Sequence, residues 1–258
     1  MGKLDEIAAY KRLEIAEAKK ARPLAALEKE LKHRELTRGF ASAIRRPGKV
    51  SLIAEVKKAS PSAGLIRPDA DPVEIAKRYA GAGAQAVSVL TDSKFFSGSL
   101  DDLVAVRRAI PLPVLRKDFL LEEYQVVEAA AAGADAVLLI VAILKRPELK
   151  RLRQFAADLG MDALVEVHSR PELEEALEAG AAVIGVNNRD LQTLRVDLNT
   201  TKELMRLLPA DKVRVSESGI KTRDDVEFVR AEGVDAILVG EELMKSADAA
   251  KKIKELVG

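Results

Sequence analysis

The chain has 258 residues, of which 48% are hydrophobic and 32% charged, enough apolar material for one large α/β core and far from a disordered composition. Its 42 basic and 41 acidic residues leave a net charge of +1, so no global field favours nucleic acid or an anionic membrane, and any bound anion needs a local site. The lack of cysteine removes disulfides, thiolate metal sites and thiol nucleophiles; two histidines, His33 and His168, are too few for a histidine-rich metal centre, so no metal site is expected.

The first twenty residues mix charge with short apolar steps, which reads as neither signal peptide nor membrane span and predicts a cytoplasmic protein. Residues 4–20 and 24–31 read as helices, with Leu4, Ile7, Ala8 and Leu13 sharing a face, before Arg45-Arg46-Pro47-Gly48 breaks the pattern. This extension, 1–48, either covers the floor of the domain that follows or lies over its active site as a lid; the sequence leaves both open.

Ser51-Leu52-Ile53-Ala54-Glu55-Val56 is the first strand, and a helical pattern at Pro72–Ala82 follows it. That helix ends in a phrase that recurs: Gly83-Ala84-Gln85-Ala86-Val87, Gly133-Ala134-Asp135-Ala136-Val137, Gly180-Ala181-Ala182-Val183-Ile184 and Gly233-Val234-Asp235-Ala236-Ile237. Each copy closes an amphipathic stretch with glycine and opens a short aliphatic run, the signature of a helix stop, a tight loop and a buried parallel strand. Further strands sit between the copies at Pro113-Val114-Leu115-Arg116, Ala163-Leu164-Val165-Glu166 and Val213-Arg214-Val215-Ser216, with helical patterns at 122–132 and 171–179. Eight alternating units over the whole of 1–258 predict a single (β/α)8 TIM barrel preceded by a helical extension. An open doubly wound sheet would carry a glycine-rich fingerprint after the first strand, and none is present.

In such a barrel, function gathers at the C-terminal strand ends. Glu55 and Lys57 share a face of the first strand by the period of two, and Lys117, Glu166, Asn187 and Glu217 arrive from strands three, five, six and seven, whereas strand four ends in apolar Leu138-Leu139-Ile140-Val141. Charges there persist only as a paired network, which is also how acids and bases acquire shifted proton affinities; rim salt bridges are the bland alternative. His168 stands two residues past Glu166, on the same face by the period of two, but reads first as a surface or loop histidine. Ser218-Gly219-Ile220 and Gly240-Glu241 place glycines after strands seven and eight, where barrels commonly hold phosphate on backbone N–H groups.

Ile53-Ala54-Glu55-Val56-Lys57-Lys58-Ala59-Ser60-Pro61-Ser62 strongly resembles the signature of indole-3-glycerol phosphate synthases. Ser88-Val89-Leu90-Thr91, Leu115-Arg116-Lys117-Asp118-Phe119, Leu164-Val165-Glu166-Val167-His168, Gly185-Val186-Asn187-Asn188-Arg189-Asp190-Leu191 and Ser216-Glu217-Ser218-Gly219-Ile220 follow in that family's order, so the resemblance spans nearly the whole chain. It implies a cofactor-independent carboxy-lyase of tryptophan biosynthesis acting on 1-(2-carboxyphenylamino)-1-deoxyribulose 5-phosphate, with this phosphorylated small molecule as its partner, no nucleic acid or membrane, and a monomeric state. It also implies residue roles. Lys117 matches the general acid, Glu166 a general base and Lys57 a second lysine on substrate anions, with Glu55, Asn187 and Glu217 orienting them. Ser60, Arg189 and Ser218 match substrate contacts, Phe96, Phe119, Leu138 and Leu191 the apolar walls, and Gly219, Gly240 and Glu241 the phosphate cradle.

Two departures stand out: Ala63 occupies a loop position where lysine is common, and Glu242 one where a small hydroxyl residue is usual. They keep a catalytically impaired phosphate-binding barrel as the alternative. A sister isomerase, phosphoribosylanthranilate isomerase, shares the architecture but uses a cysteine base that this chain lacks.

Overall fold

The four repeated phrases convert helix to strand in the same way in the computed structural model, which describes residues 3–190 and 193–258. Gly83, Gly133, Gly180 and Gly233 have φ of 103°, 85°, 79° and 82°, the left-handed geometry that ends a helix and that side chains with a Cβ resist. The phrase's third residue has a separate task. Gln85 accepts a hydrogen bond from Leu52 N at 2.8 Å, Asp135 from Val114 N at 2.8 Å and Asp235 from Arg214 N at 2.9 Å, each securing a donor at the start of a neighbouring strand. In the remaining copy the Ala182 carbonyl accepts from Val213 N at 2.9 Å.

The strands are β1 (Ser51–Val56), β2 (Ala86–Leu90), β3 (Val114–Lys117), β4 (Ala136–Ile140), β5 (Asp162–Val167), β6 (Val183–Asn187), β7 (Val213–Glu217) and β8 (Ala236–Val239). All pair in parallel with their sequence neighbours, and β8 closes on β1 in the register Ser51–Ala236 to Ala54–Val239. This is the (β/α)8 barrel the repeats imply, with helices on its outside, among them Pro72–Ala82, Glu123–Ala131 and Arg170–Glu178. Ala59–Ser60 and Gly64–Leu65 form a small antiparallel hairpin in the loop after β1. Among the described residues no helix is long and apolar enough to cross a membrane.

The extension serves both ends of the barrel, which settles the choice the sequence left open. Its helices are α1 (Lys3–Ala21), α2 (Leu24–Leu31) and α3 (Phe40–Ile44). Phe40 and Ile44 of α3 are fully buried in one cluster with Ile53, Ala86, Ala136, Leu164, Val183, Val213 and Ala236. The second small residue of the phrase (Ala86, Ala136 and Ala236) begins β2, β4 and β8, and its short side chain leaves room for this floor plug. Arg34 and Arg38 strap the intervening segment down by donating to the Ala134 carbonyl at 2.7 Å and the Leu112 carbonyl at 2.8 Å. Helix α1 instead reaches the opposite end, where Leu4 and Ile7 line the cavity at the barrel mouth.

Truncating the plug should leave a phenyl-sized hole in a close-packed layer. Phe40→Ala is expected to lower the unfolding free energy by about 3–5 kcal/mol in urea titration, whereas Leu13→Ala, at a side chain 66% exposed, should change it by less than about 0.5 kcal/mol.

Candidate active site

The period of two that builds the barrel interior also delivers the polar groups. Ile53, Leu115, Leu164 and Val215 belong to the inner cluster, and two residues further along the same strands come Glu55, Lys117, Glu166 and Glu217. Asn187 stands level with Glu217 in the β6–β7 register. Together they form the base of a cavity of about 610 Å3 at the C-terminal end of the strands. All the catalytic, substrate-contact and phosphate-contact residues named from the sequence line it, except Leu191, which lies outside the described residues.

Lys117 is the centre of the arrangement. Its Nζ lies 2.7 Å from Glu166 Oε2 and 3.2 Å from Glu217 Oε2, and only 13% of the side chain is exposed. Burial disfavours the ammonium, but the carboxylates of Glu166, Glu217 and Glu55 outweigh that and hold its proton affinity well above an ordinary lysine's. Glu166 is likewise opposed by burial, yet Lys117 and His168 keep its carboxyl well below the usual range. Glu217 goes the other way: burial and the nearby Glu166 charge outweigh Lys117 and push it up to about 7. Two carboxyls on one lysine therefore have opposite proton affinities, one a committed anion and one able to carry a proton near neutrality. Gly185 makes space for this, since an added Cβ there would collide with Glu217 Oε1.

A second pair sits beside the first. Glu55 Oε1 lies 3.0 Å from Lys57 Nζ, and its other oxygen accepts from Ser88 Oγ at 3.4 Å. Gly240 faces this carboxylate so closely that a Cβ would collide with Glu55 Oε1, which gives the glycine a packing reason independent of any phosphate. Phe96 and Phe119 form an aromatic wall with centroids 6.1 Å apart, and the aliphatic Leu138 of β4 lines the same cavity. Ser60 Oγ accepts from Ala63 N at 3.1 Å and thus shapes the hairpin loop.

At the rim, Ser218 and Gly219 have consecutive positive φ of 64° and 86° as the chain turns out of β7. Arg189 donates to the Leu194 carbonyl at 3.2 Å and comes within 3.8 Å of Glu241 Oε2. Glu241 is also bound by Lys245 Nζ at 2.6 Å, so its carboxylate is held by cations and its carboxyl lies below the ordinary value.

Several contributors were not singled out in the sequence. Lys11 of α1 is 2% exposed and pairs with Glu14, with Asp92 Oδ2 at 2.7 Å and with Asp118 Oδ1 at 2.9 Å. It fastens the extension to the loops after β2 and β3, next to Lys117. Arg116 and Lys11, against burial, hold Asp118 at about 2. Asn188 is a buried hub: its amide donates to Ser216 Oγ at 3.1 Å and to the Glu217 and Ser218 carbonyls at 3.0 Å, while its oxygen accepts from Thr201. The Asn187-Asn188 pair was the available signal, one amide for each side of the strand end.

Against known sequences, residues 4–256 match the family described as indole-3-glycerol phosphate synthase. The chain belongs to the indole-3-glycerol phosphate synthase family. An indole-3-glycerol phosphate synthase of Acetivibrio thermocellus is 47% identical over 98% of both chains, and one of Albidiferax ferrireducens is 50% identical over 98% of this chain and 97% of that one. Among solved structures, 3-hexulose-6-phosphate synthase from Salmonella typhimurium covers 80% of this chain and 96% of its own at a TM-score of 0.66 and 14% identity, a likeness of fold alone.

The Glu217 value carries a stability signature. Its folded-state affinity is raised above the ordinary 4.5 to about 7, so the folded protein holds a proton that the unfolded chain has lost, and stability falls as pH rises across that window. Relative to wild type, Glu217→Gln should therefore gain on the order of 1 kcal/mol per pH unit between about 4.5 and about 7 in urea midpoints taken at several pH values. A constant difference would place the proton elsewhere.

Proposed function

We propose that the protein is a decarboxylating lyase that closes the indole ring of 1-(2-carboxyphenylamino)-1-deoxyribulose 5-phosphate, giving indole-3-glycerol phosphate, carbon dioxide and water. The observation that carries this reading is a charged lysine, Lys117, held at the base of an aromatic-walled cavity by two carboxylates of opposite proton affinity. The family supplies the substrate, and the cavity supplies chemistry that suits it.

Ring closure begins when the carboxylate-bearing ring carbon attacks the ribulose carbonyl carbon. Negative charge grows on the carbonyl oxygen, and Lys117 donates a proton to it as the carbon–carbon bond forms. Carbon dioxide then leaves with its bonding electrons returning to the ring, which restores aromaticity. In the last step the new hydroxyl departs as water, protonated by Lys57, while Glu166 removes the proton whose bonding electrons form the carbon–carbon double bond of the indole's five-membered ring. Glu55, held 3.0 Å from Lys57, orients that lysine, and Asn187 and Glu217 frame the substrate beside Lys117.

The phenyl ring is assigned to the part of the cavity lined by Phe96, Phe119 and Leu138, with Ser60, Arg189 and Ser218 as its polar contacts. The phosphate goes to the loops after β7 and β8, at Gly219, Gly240 and Glu241, through backbone N–H groups. Because Lys245 and Arg189 already hold the Glu241 carboxylate, its charge is turned to protein cations. No observation favours the impaired-barrel reading. The chain is taken as one domain over 1–258, working in the cytoplasm as a monomer.

The test mixes purified protein with the carboxyphenylamino-deoxyribulose phosphate and follows indole absorbance or fluorescence. Wild type should produce indole-3-glycerol phosphate, and Lys117→Ala should lower kcat by at least about 100-fold with its circular dichroism spectrum preserved. No indole signal from wild type contradicts the activity itself. An undiminished signal from the variant contradicts only the role given to Lys117.

A further inference from the structure

The ring closure described above leaves His168 without a role, although its surroundings are specific. It follows Val167, the last residue of β5, and does not line the cavity that Glu166 lines. Its Nε2 lies 3.3 Å from Glu166 Oε1, and its Nδ1 lies 3.0 Å from Glu172 Oε2. The same Glu172 oxygen accepts from the His168 backbone N at 2.7 Å, so ring and main chain are gripped together. Glu172 is itself fixed in the first turn of the helix Arg170–Glu178, which Ser169 caps.

A carboxylate stands beside each ring nitrogen, hydrogen-bonded at Nδ1 and at ion-pair distance without a hydrogen bond at Nε2, and both favour a ring protonated at both nitrogens. The two carboxylates stabilise the imidazolium against burial and raise its proton affinity to about 10. Glu166 in turn meets a different cation at each oxygen: Lys117 at Oε2, 2.7 Å away, and His168 at Oε1. The two cations differ in what the reaction asks of them. Lys117 must turn to the substrate and give up its proton, whereas His168, behind Glu166 and outside the cavity, has no substrate atom to meet. Once Lys117 turns away, a buried Glu166 without a second cation would either follow it or take up a proton too early.

We propose that His168, gripped by Glu172, is a positioning residue that holds Glu166 by Oε1, so that Oε2 stays aimed into the cavity as the base after Lys117 has turned to substrate. This rests on the reading of Glu166 as the base of the dehydration step. The pair acts through Glu166 alone, since neither member touches the cavity. The groups facing Glu166 are then Lys117 from β3, Glu217 from β7 and His168 from the end of its own strand, which makes His168 the only one of the three that keeps its charge and place throughout turnover.

The chain has only two histidines, so 15N-histidine NMR reads His168 directly, with His168→Gln assigning the signal. In the full-length wild type the His168 ring should remain doubly protonated from neutral pH up to about 10, and Glu172→Gln should bring its titration down toward the ordinary histidine value of 6.5. In the indole assay, His168→Gln should lower kcat by about tenfold with KM within about twofold, and Glu172→Gln should lower kcat less, in the same direction. Glu172→Gln also keeps the test open if His168→Gln does not fold. A neutral His168 ring in wild type at pH 7 would overturn the proposal. So would unchanged kcat in both variants, or KM rising as kcat falls. Wild-type turnover by Glu166→Gln would instead remove the base reading, and the NMR arm would still report whether the ion pair exists.

Discussion

A lysine ammonium inside a barrel must be neutralised by carboxylates or lose its proton, and this constraint organises the mouth of the protein. Lys117 is charged because Glu166 and Glu217 lie against it, and those two glutamates are in place because β5 and β7 present their inward positions at the level of its amine. The supporting features follow. Gly185 is glycine so that Glu217 can lean across β6, Asn188 pins the carbonyls at the end of β7, and His168 holds the far oxygen of Glu166. The barrel core beneath, from Ile53 to Val215, fixes the height at which these groups emerge.

The opposite proton affinities of Glu166 and Glu217 come from one physical difference. Both are buried, but Glu166 lies 2.7 Å from Lys117 and 3.3 Å from His168, whereas Glu217 shares Lys117, at 3.2 Å, and faces the Glu166 charge. A site built this way keeps a carboxylate and a group of neutral-range proton affinity beside one lysine, so a proton donor and a proton acceptor stand together at the base of the cavity. At the rim, Glu241 shows the same economy of charge: Lys245 and Arg189 take up its carboxylate, so the strand-eight loop is less hostile to an anion than its sequence, Glu241-Glu242, implies.

Much of this was legible beforehand because it follows local rules. Helix-stopping glycines and period-two strands define the barrel, and polar residues two positions beyond an apolar inward residue, as in Leu115 and Lys117 or Leu164 and Glu166, mark the site. What was hidden depends on how separate segments meet. Lys11 sits on a helix whose apolar face is plain, but its burial against Asp92 and Asp118 follows only from where α1 docks. The extension defied a choice between floor and lid because its short α3 carries the plug while α1 carries the mouth contacts. Gly240 reads as a phosphate glycine from its loop, and the close approach of Glu55, which leaves no room for a Cβ there, requires two strands distant in sequence. His168 looked ambiguous for the same reason: one of its partners is local, but its significance lies in a lysine fifty-one residues away in the chain.

The role proposed for Lys117, steadied by Glu166 and Glu217, requires its Nζ to face the carbonyl oxygen of the substrate. A crystal structure with a substrate analogue whose ribulose carbonyl is reduced to a hydroxyl tests it most directly. The account predicts Lys117 Nζ within hydrogen-bond distance of that hydroxyl, the phenyl ring between Phe96, Phe119 and Leu138, and the phosphate at the loops after β7 and β8. An analogue bound in the cavity with its hydroxyl away from Lys117, and with Lys117 still bridging the two glutamates, would contradict it.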